Sequence, residues 1–160
     1  MKNNEIIRTS TNTFLKNIAT IGLLGYIPFA PGTFGSLFAL ALFLLSDLTI
    51  YAHFSLILAG AILGTYASTA AEKMLGEKDS KKIIIDEFIG FYVSVLYLPK
   101  TLALTIAAFL LFRFFDILKP LFISKLEKTL SNGLGVMADD ILAGIYTNVI
   151  LQMWLLVFKI

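Results

Sequence analysis

The stretch IIIDEFIGFYVSVLYLPKTLALTIAAFLLFRFFDIL, Ile83–Leu118, decides the fold. It holds two apolar blocks, Ile83–Leu98 and Thr101–Leu118, parted by Pro99-Lys100. Each lies near the lower limit of roughly 17 residues for a membrane-crossing helix. Neither alternates apolar and polar side chains with the period of two that a barrel strand requires, so both read as helices. Their ionisable side chains stand at the ends: Asp86 and Glu87 open the first block, while Arg113 and Asp116 close the second. A hairpin of two such helices gathers all four at one membrane face.

Working outward, Glu72–Lys82 is the most charged segment and reads as lying in water. Before it come Phe54–Ala71 and a block from Phe34 to about Tyr51, interrupted by Ser46-Asp47. Pro31-Gly32-Thr33 breaks the chain ahead of these. Ile18–Ala30, cut by Gly22, Gly25 and Pro28, reads as a re-entrant or interfacial helix. Residues 1–16 are polar and rich in Thr and Asn, which predicts a short N-terminal surface segment. On the far side, Lys119–Ala138 is amphipathic and Ile141–Phe158 is a last apolar helix. The reading is one domain over residues 1–160: an all-α, polytopic membrane helical bundle. It has about four to five membrane-embedded helices, some short or broken.

Composition agrees. The chain is 58% hydrophobic and 15% charged, against roughly 45–50% and about 25% in ordinary soluble domains. A soluble domain of 160 residues has too little interior to hide so many apolar side chains. There is no cysteine, which excludes disulfides, thiolate metal sites and cysteine nucleophiles. His53 is the single histidine, which excludes chemistry that needs two; its place in an expected outer loop makes it a surface or interface residue. The net charge of +2 gives no reason to expect nucleic acid as a partner. The N-terminus does not read as a signal peptide, because the apolar stretch after Lys16 runs into Pro-Gly rather than a small-residue cleavage site.

Basic residues set the orientation. With five crossings and the N-terminus in the cytoplasm, Lys2, Arg8, Lys16, Lys73, Lys78, Lys81, Lys82, Arg113, Lys119, Lys125 and Lys128 fall inside. Only Lys100 and Lys159 fall outside. The same arrangement brings Asp79, Asp86, Glu87, Asp116, Asp139 and Asp140 to the cytoplasmic ends of apolar blocks. Acids at the edge of the hydrocarbon are costly when unpaired, and six together repel unless cations stand between them. An oxygen-only ligand set suits a hard divalent ion, usually Mg²⁺.

Gly32, Thr33, Gly35 and Ser36 stand where a loop enters a helix. Glycines there let backbone approach an anion, N–H groups at the helix start attract phosphate, and the two hydroxyls add donors. The same string also caps any helix. Arg113, Asp116 and Lys119 share one helix face. They form either an intrahelical ion pair whose cation snorkels to the interface, or a phosphate clamp with Asp116 on a metal. Helix-capping explains one acid of each pair Asp86-Glu87 and Asp139-Asp140, expected at helix starts, but not two adjacent acids twice. Tyr51, Tyr97 and Trp154 fit an aromatic belt. Phe112, Phe114 and Phe115 read as packing or lipid contact.

Four strings in order, GYIPFAPGTFGS (Gly25–Ser36), KDSKKIIIDEFIG (Lys78–Gly90), FRFFDILKP (Phe112–Pro120) and GLGVMADDILAG (Gly133–Gly144), resemble the phosphatidylglycerophosphatase A family. The one visible departure is Ser131-Asn132, where a more glycine-rich approach is expected. The resemblance implies a Mg²⁺-dependent phosphatase of the bacterial inner membrane. Its substrate would be the phospholipid phosphatidylglycerophosphate, converted at the cytoplasmic face to phosphatidylglycerol and phosphate. Asp79, Asp86, Glu87, Asp116, Asp139 and Asp140 are the candidate metal ligands, and all but Asp79 are also candidate catalytic groups with Arg113. Gly32, Thr33, Gly35, Ser36, Arg113 and Lys119 are the candidate phosphate contacts. Activated water and an aspartyl-phosphate intermediate both fit this set, and no oligomeric state follows from it. The rival reading from another class is a small cation transporter or channel that uses the acids as an ion path. It expects acids near the bilayer midplane and leaves Arg113 and the phosphate loop idle.

Overall fold

The computed structural model describes residues 2–119, 130 and 132–158. Among the described residues six helices follow one another: α1 (Lys2–Ala19), α2 (Pro31–Leu45), α3 (Ile50–Leu75), α4 (Ile85–Ser94), α5 (Leu102–Leu118) and α6 (Gly133–Phe158), with one 3₁₀ turn at Leu24–Tyr26. No strand occurs among the described residues. The ends obey local chemistry. Pro31 begins α2, where its missing N–H costs nothing. Thr49 and Thr101 cap α3 and α5 by accepting the amides of Ala52 and Leu104. Gly76, with φ at 70°, closes α3.

The shortest helix is the hub: α4 packs against α1, α2, α3, α5 and α6. Its tightest partner is α6, because glycines meet there. A Cβ on Gly90 would stand 2.7 Å from the Asp140 carbonyl, and one on Gly144 would strike the Gly90 carbonyl. Small residues let the two backbones touch. Ala39, Phe43, Phe91, Tyr92, Ala108 and Phe112 form the main core around this contact. Phe112 is fully buried and Phe114 is exposed, so the aromatic run divides between packing and the outer surface.

Two helices, α3 and α6, are long and apolar enough to cross a membrane; at 1.5 Å per residue each extends about 39 Å, beyond a hydrocarbon core of about 30 Å. The apolar α2 is shorter, and α4 is shorter still, so the expected count of four to five embedded helices is not reached on length alone. Instead of filling Ile83–Leu98, α4 stops at Ser94, and its free carbonyls are met by side chains of the two long helices. His53 Nε2 lies 2.9 Å from Tyr92 O, Asn148 donates to Ser94 O and Leu96 O at 3.1 and 2.7 Å, and Gln152 reaches Leu96 O at 3.4 Å. These contacts let a helix end inside an apolar layer. They also correct the sequence reading of His53, which is 5% exposed and stacked edge-on against Tyr92.

Other expectations change as well. The polar N-terminal segment is helical from residue 2: it belongs to α1, which runs to Ala19 and packs along α3. The apolar stretch Ile18–Ala30 is not a helix. The chain reverses at Ile21 and Gly22, both at positive φ, passes the 3₁₀ turn and reaches Ala30 at φ 47°. Asp139 and Asp140 do not open the last helix. Since α6 starts at Gly133, whose amide is capped by Thr69 Oγ1 at 3.1 Å, they lie at the end of its second turn. The amphipathic reading of Lys119–Ala138 falls largely on residues outside those described, as do Lys125, Lys128, Ser131 and Lys159.

Candidate active site: a carboxylate cavity at one end of the bundle

At the end of the bundle where α2, α4 and α6 begin and α5 ends lies a cavity of about 330 Å³. Its walls include Pro31 and Gly32 from α2, Asp79–Lys81 from the loop after α3, and Asp86 and Glu87 from α4. Arg113, Asp116, Ile117 and Lys119 come from the end of α5, and Asp139 and Asp140 from α6. Nine of the side chains or backbones singled out in the sequence therefore share one space: Gly32, Asp79, Asp86, Glu87, Arg113, Asp116, Lys119, Asp139 and Asp140. Thr33, Gly35 and Ser36 do not line it. Gly35 packs on Ile84, and Ser36 supports the site from behind.

The centre is acidic. Asp86, Glu87 and Asp140 each offer a carboxylate oxygen, and the three oxygens lie within 4.8 Å of one another. The Gly90–Asp140 contact produces this closeness by pressing the start of α4 against the second turn of α6. Asp86 is 7% exposed and Asp140 3%. Asp86 Oδ1, Glu87 Oε2 and Asp140 Oδ2 are buried without a hydrogen-bond partner. Buried carboxylates that lack partners and crowd one another are unfavourable for folding. Three hard oxygen donors converging in this way fit a divalent cation such as Mg²⁺.

Cations hold the rim. Arg113 Nη1 is 2.6 Å from Asp116 Oδ2, 4.0 Å from Glu87 Oε1 and 3.4 Å from Ser36 Oγ. The intrahelical pair Arg113–Asp116 thus exists, but Arg113 turns inward: its side chain is 15% exposed, and Nε is buried without a partner. A snorkelling arginine would be solvated. Lys119 Nζ is 3.0 Å from Asp139 Oδ2, so Asp116 and Asp139 each face a cation while Asp86, Glu87 and Asp140 face one another.

The start of α2 closes the remaining side. A Cβ on Gly32 would overlap the Glu87 carboxylate and stand 3.3 Å from Arg113 Nη1, so any side chain there would displace the Glu87 carboxylate. Of the first helical residues, Pro31 has no N–H, and the Thr33 and Phe34 amides donate to Ala30 O. The positive end of α2 therefore faces Glu87 across Gly32. Ser36 is fully buried and donates to Gly32 O at 2.9 Å while standing beside Arg113.

Glu72 is the residue that sequence reasoning missed. It was hidden in a charged run read as solvated, yet it is 9% exposed, and its Oε1 accepts the Asp79 amide at 2.8 Å. The available signal was its register: it lies one helical turn after Ser68, on the buried face of α3. At the opposite end of the bundle, the pair Lys100–Asp47 at 2.8 Å lies at the surface; the lysine holds the Asp47 carboxyl below its usual range.

The family model described as phosphatidylglycerophosphatase A matches residues 17–155. The chain is 38% identical to the phosphatidylglycerophosphatase A of Haemophilus influenzae, over 82% of this chain and 85% of that protein. It is 35% identical to the enzyme of the same name from Escherichia coli K12, over 79% and 75%. A Bacteroides thetaiotaomicron protein that carries the provisional name phosphatidylinositol-3-phosphatase is 38% identical, over 79% and 84%. No solved structure matches the chain.

Proposed function

The chain belongs to the phosphatidylglycerophosphatase A family of lipid phosphatases, and from that premise we propose that it hydrolyses the terminal phosphate monoester of phosphatidylglycerophosphate. The products are phosphatidylglycerol and inorganic phosphate. The observation that carries the chemistry is the convergence of Asp86, Glu87 and Asp140 beside Arg113: the three bring carboxylate oxygens within 4.8 Å of one another, and each keeps a buried oxygen without a hydrogen-bond partner. Mg²⁺ is the proposed cofactor, and Asp86, Glu87 and Asp140 are its proposed ligands, with Asp79 on the adjoining wall. When bound, the ion supplies charge neutralisation of the phosphate and a more acidic water.

The chain's own groups do the rest. Arg113 offers Nε, which has no other partner, and the planar fork of its guanidinium to the equatorial phosphate oxygens. Asp116 and Ser36 keep the guanidinium in place. Lys119, at the exposed rim, meets the outer phosphate oxygens or the headgroup, with Asp139 orienting it. The Gly32 backbone brings the positive end of α2 to the phosphate. The P–O bond to glycerol breaks as water forms a new bond to phosphorus, or as one of the acids does so and water then hydrolyses the resulting acyl phosphate to release phosphate. The leaving glycerol oxygen takes up a proton.

The proposed setting is a multi-pass protein of the bacterial inner membrane with the cavity at the cytoplasmic face. Support comes from α3 and α6 as spans and from Lys16, Lys73, Lys78, Lys81 and Lys82, which cluster toward the cavity end, whereas Lys100 lies at the other. The transporter reading expects acids midway along the helices, whereas these six all line the cavity toward one end of the bundle. The test is phosphate release from phosphatidylglycerophosphate by purified protein in lipid-like detergent, with Mg²⁺ and with EDTA. Phosphatidylinositol 3-phosphate is run beside it, because one relative's name points to that monoester. Mg²⁺-dependent release from phosphatidylglycerophosphate is expected; no release from folded protein would sink the proposal, and preference for the phosphoinositide would replace the substrate.

A further inference from the structure

The loop from Gly76 to Ile84 forms one wall of the cavity and turns Asp79, Ser80 and Lys81 toward it. Of the hydrogen bonds that brace it, three matter here. The Ile84 amide donates to Ala19 O at 2.9 Å, and Ser80 Oγ donates to Glu77 Oε2 at 2.8 Å. The third joins the Asp79 amide to Glu72 Oε1 at 2.8 Å.

The third bond has an unusual acceptor. Glu72 lies in the last turn of α3, where the helix dipole disfavours an acid, and it is 9% exposed, where lost hydration disfavours one again. A neutral residue would suit both conditions better. The bond it makes is charge-assisted and short, and it pins a residue in an uncommon backbone state: Asp79 has φ 51°, the left-handed region. A strained, exposed aspartate lining the cavity is thus fixed through its backbone by a buried glutamate seven residues earlier.

We propose that Glu72 is a positioning residue: by accepting the Asp79 amide it sets the Gly76–Ile84 loop so that the Asp79 carboxylate completes the cation site of Asp86, Glu87 and Asp140. This rests on the cation-dependent reading given above. Glu72 does not touch the ion; it acts as the outer support that orients a ligand.

The test uses the full chain in detergent. Hydrogen exchange by mass spectrometry should find the Asp79 amide slow to exchange in the wild type and fast in E72A. Mn²⁺ binding, followed by electron paramagnetic resonance, should weaken by about 10- to 100-fold in E72A. E72Q keeps the acceptor oxygen and should bind as the wild type does. In a D79A background, E72A should cause no further loss, because its effect passes through Asp79. An unprotected Asp79 amide in the wild type, unchanged Mn²⁺ binding in E72A, or losses that multiply in the double variant would each overturn the proposal. If E72A does not fold, wild-type exchange and E72Q decide: a tenfold loss in E72Q overturns it. Exchange and Mn²⁺ binding need no turnover, so a wild type that binds Mn²⁺ in this pattern but releases no phosphate would overturn the substrate reading alone.

Discussion

Gly90 and Asp140 touch across the α4–α6 seam, with the Asp140 carbonyl 2.7 Å from the place a Cβ on Gly90 would occupy and Phe112 at 2.8 Å. Both neighbours are immobile, one as helix backbone and the other as a fully buried ring. Gly90→Ala therefore has to push α4 away from α6. Overpacking of this kind costs about 1–3 kcal/mol, and separating Asp86 from Asp140 by about 1 Å is enough to lose roughly 10²-fold in rate. Thermal unfolding and phosphate release, measured on the same preparation, should both fall. A variant as stable and active as the wild type would show that the seam does not set the carboxylate spacing.

Arg113→Lys keeps the charge and removes the fork. Arg113 now meets Asp116, Glu87 and Ser36 and still has Nε to offer; a lysine can reach Asp116 but cannot serve a phosphate at the same time. We expect the turnover number to fall by about 10²-fold or more, with the unfolding temperature little changed. An unaltered rate would confine Arg113 to its ion pair with Asp116.

How much of this was legible beforehand depends on range. The end-of-block positions of Asp86, Arg113 and Asp116 and the apolar blocks around them gathered these groups at one end from the sequence alone. The break at Pro31 and the block start at Thr101 were readable as well, and α2 begins at Pro31 while Thr101 caps α5. What could not be read was non-local. The chain after Ser94 is as apolar as the chain before it, and only the side chains of His53, Asn148 and Gln152, distant in sequence, let α4 stop there. Ser36 reads as a phosphate donor by its motif, yet its hydroxyl is committed to Gly32 O, a distinction that depends on which face of α2 is buried. Glu72 was lost in its charged surroundings for the same reason.

Asn148→Leu tests the interrupted helix. Asn148 donates to Ser94 O and Leu96 O, and leucine leaves both carbonyls without that donor in an apolar layer. Each unsatisfied group costs about 1–3 kcal/mol, so the unfolding temperature should drop clearly. The site lies at the other end of α4, so Mg²⁺ dependence and the Michaelis constant of the remaining folded protein should hold. Wild-type stability in this variant would mean that the ends of α4 are satisfied in another way.

Asp140→Asn separates the two consequences of a crowded carboxylate site. Without a cation, Asp86, Glu87 and Asp140 repel one another in a buried space, and their unpartnered oxygens oppose folding. Neutralising one acid relieves part of this, so D140N in EDTA should unfold at a higher temperature than the wild type. With Mg²⁺ the order should reverse. A cation that binds only the folded wild type adds RT ln(1 + [L]/Kd), about 2.7 kcal/mol at a hundredfold excess over Kd, whereas D140N has lost a ligand and gains less. Turnover should disappear in D140N under both conditions. A pair of melting curves, with and without Mg²⁺, reads all but the last of these. If the wild type gains nothing from Mg²⁺ while D140N is no more stable in EDTA, the three acids are not a cation site, and their closeness has to be explained by shared protons instead.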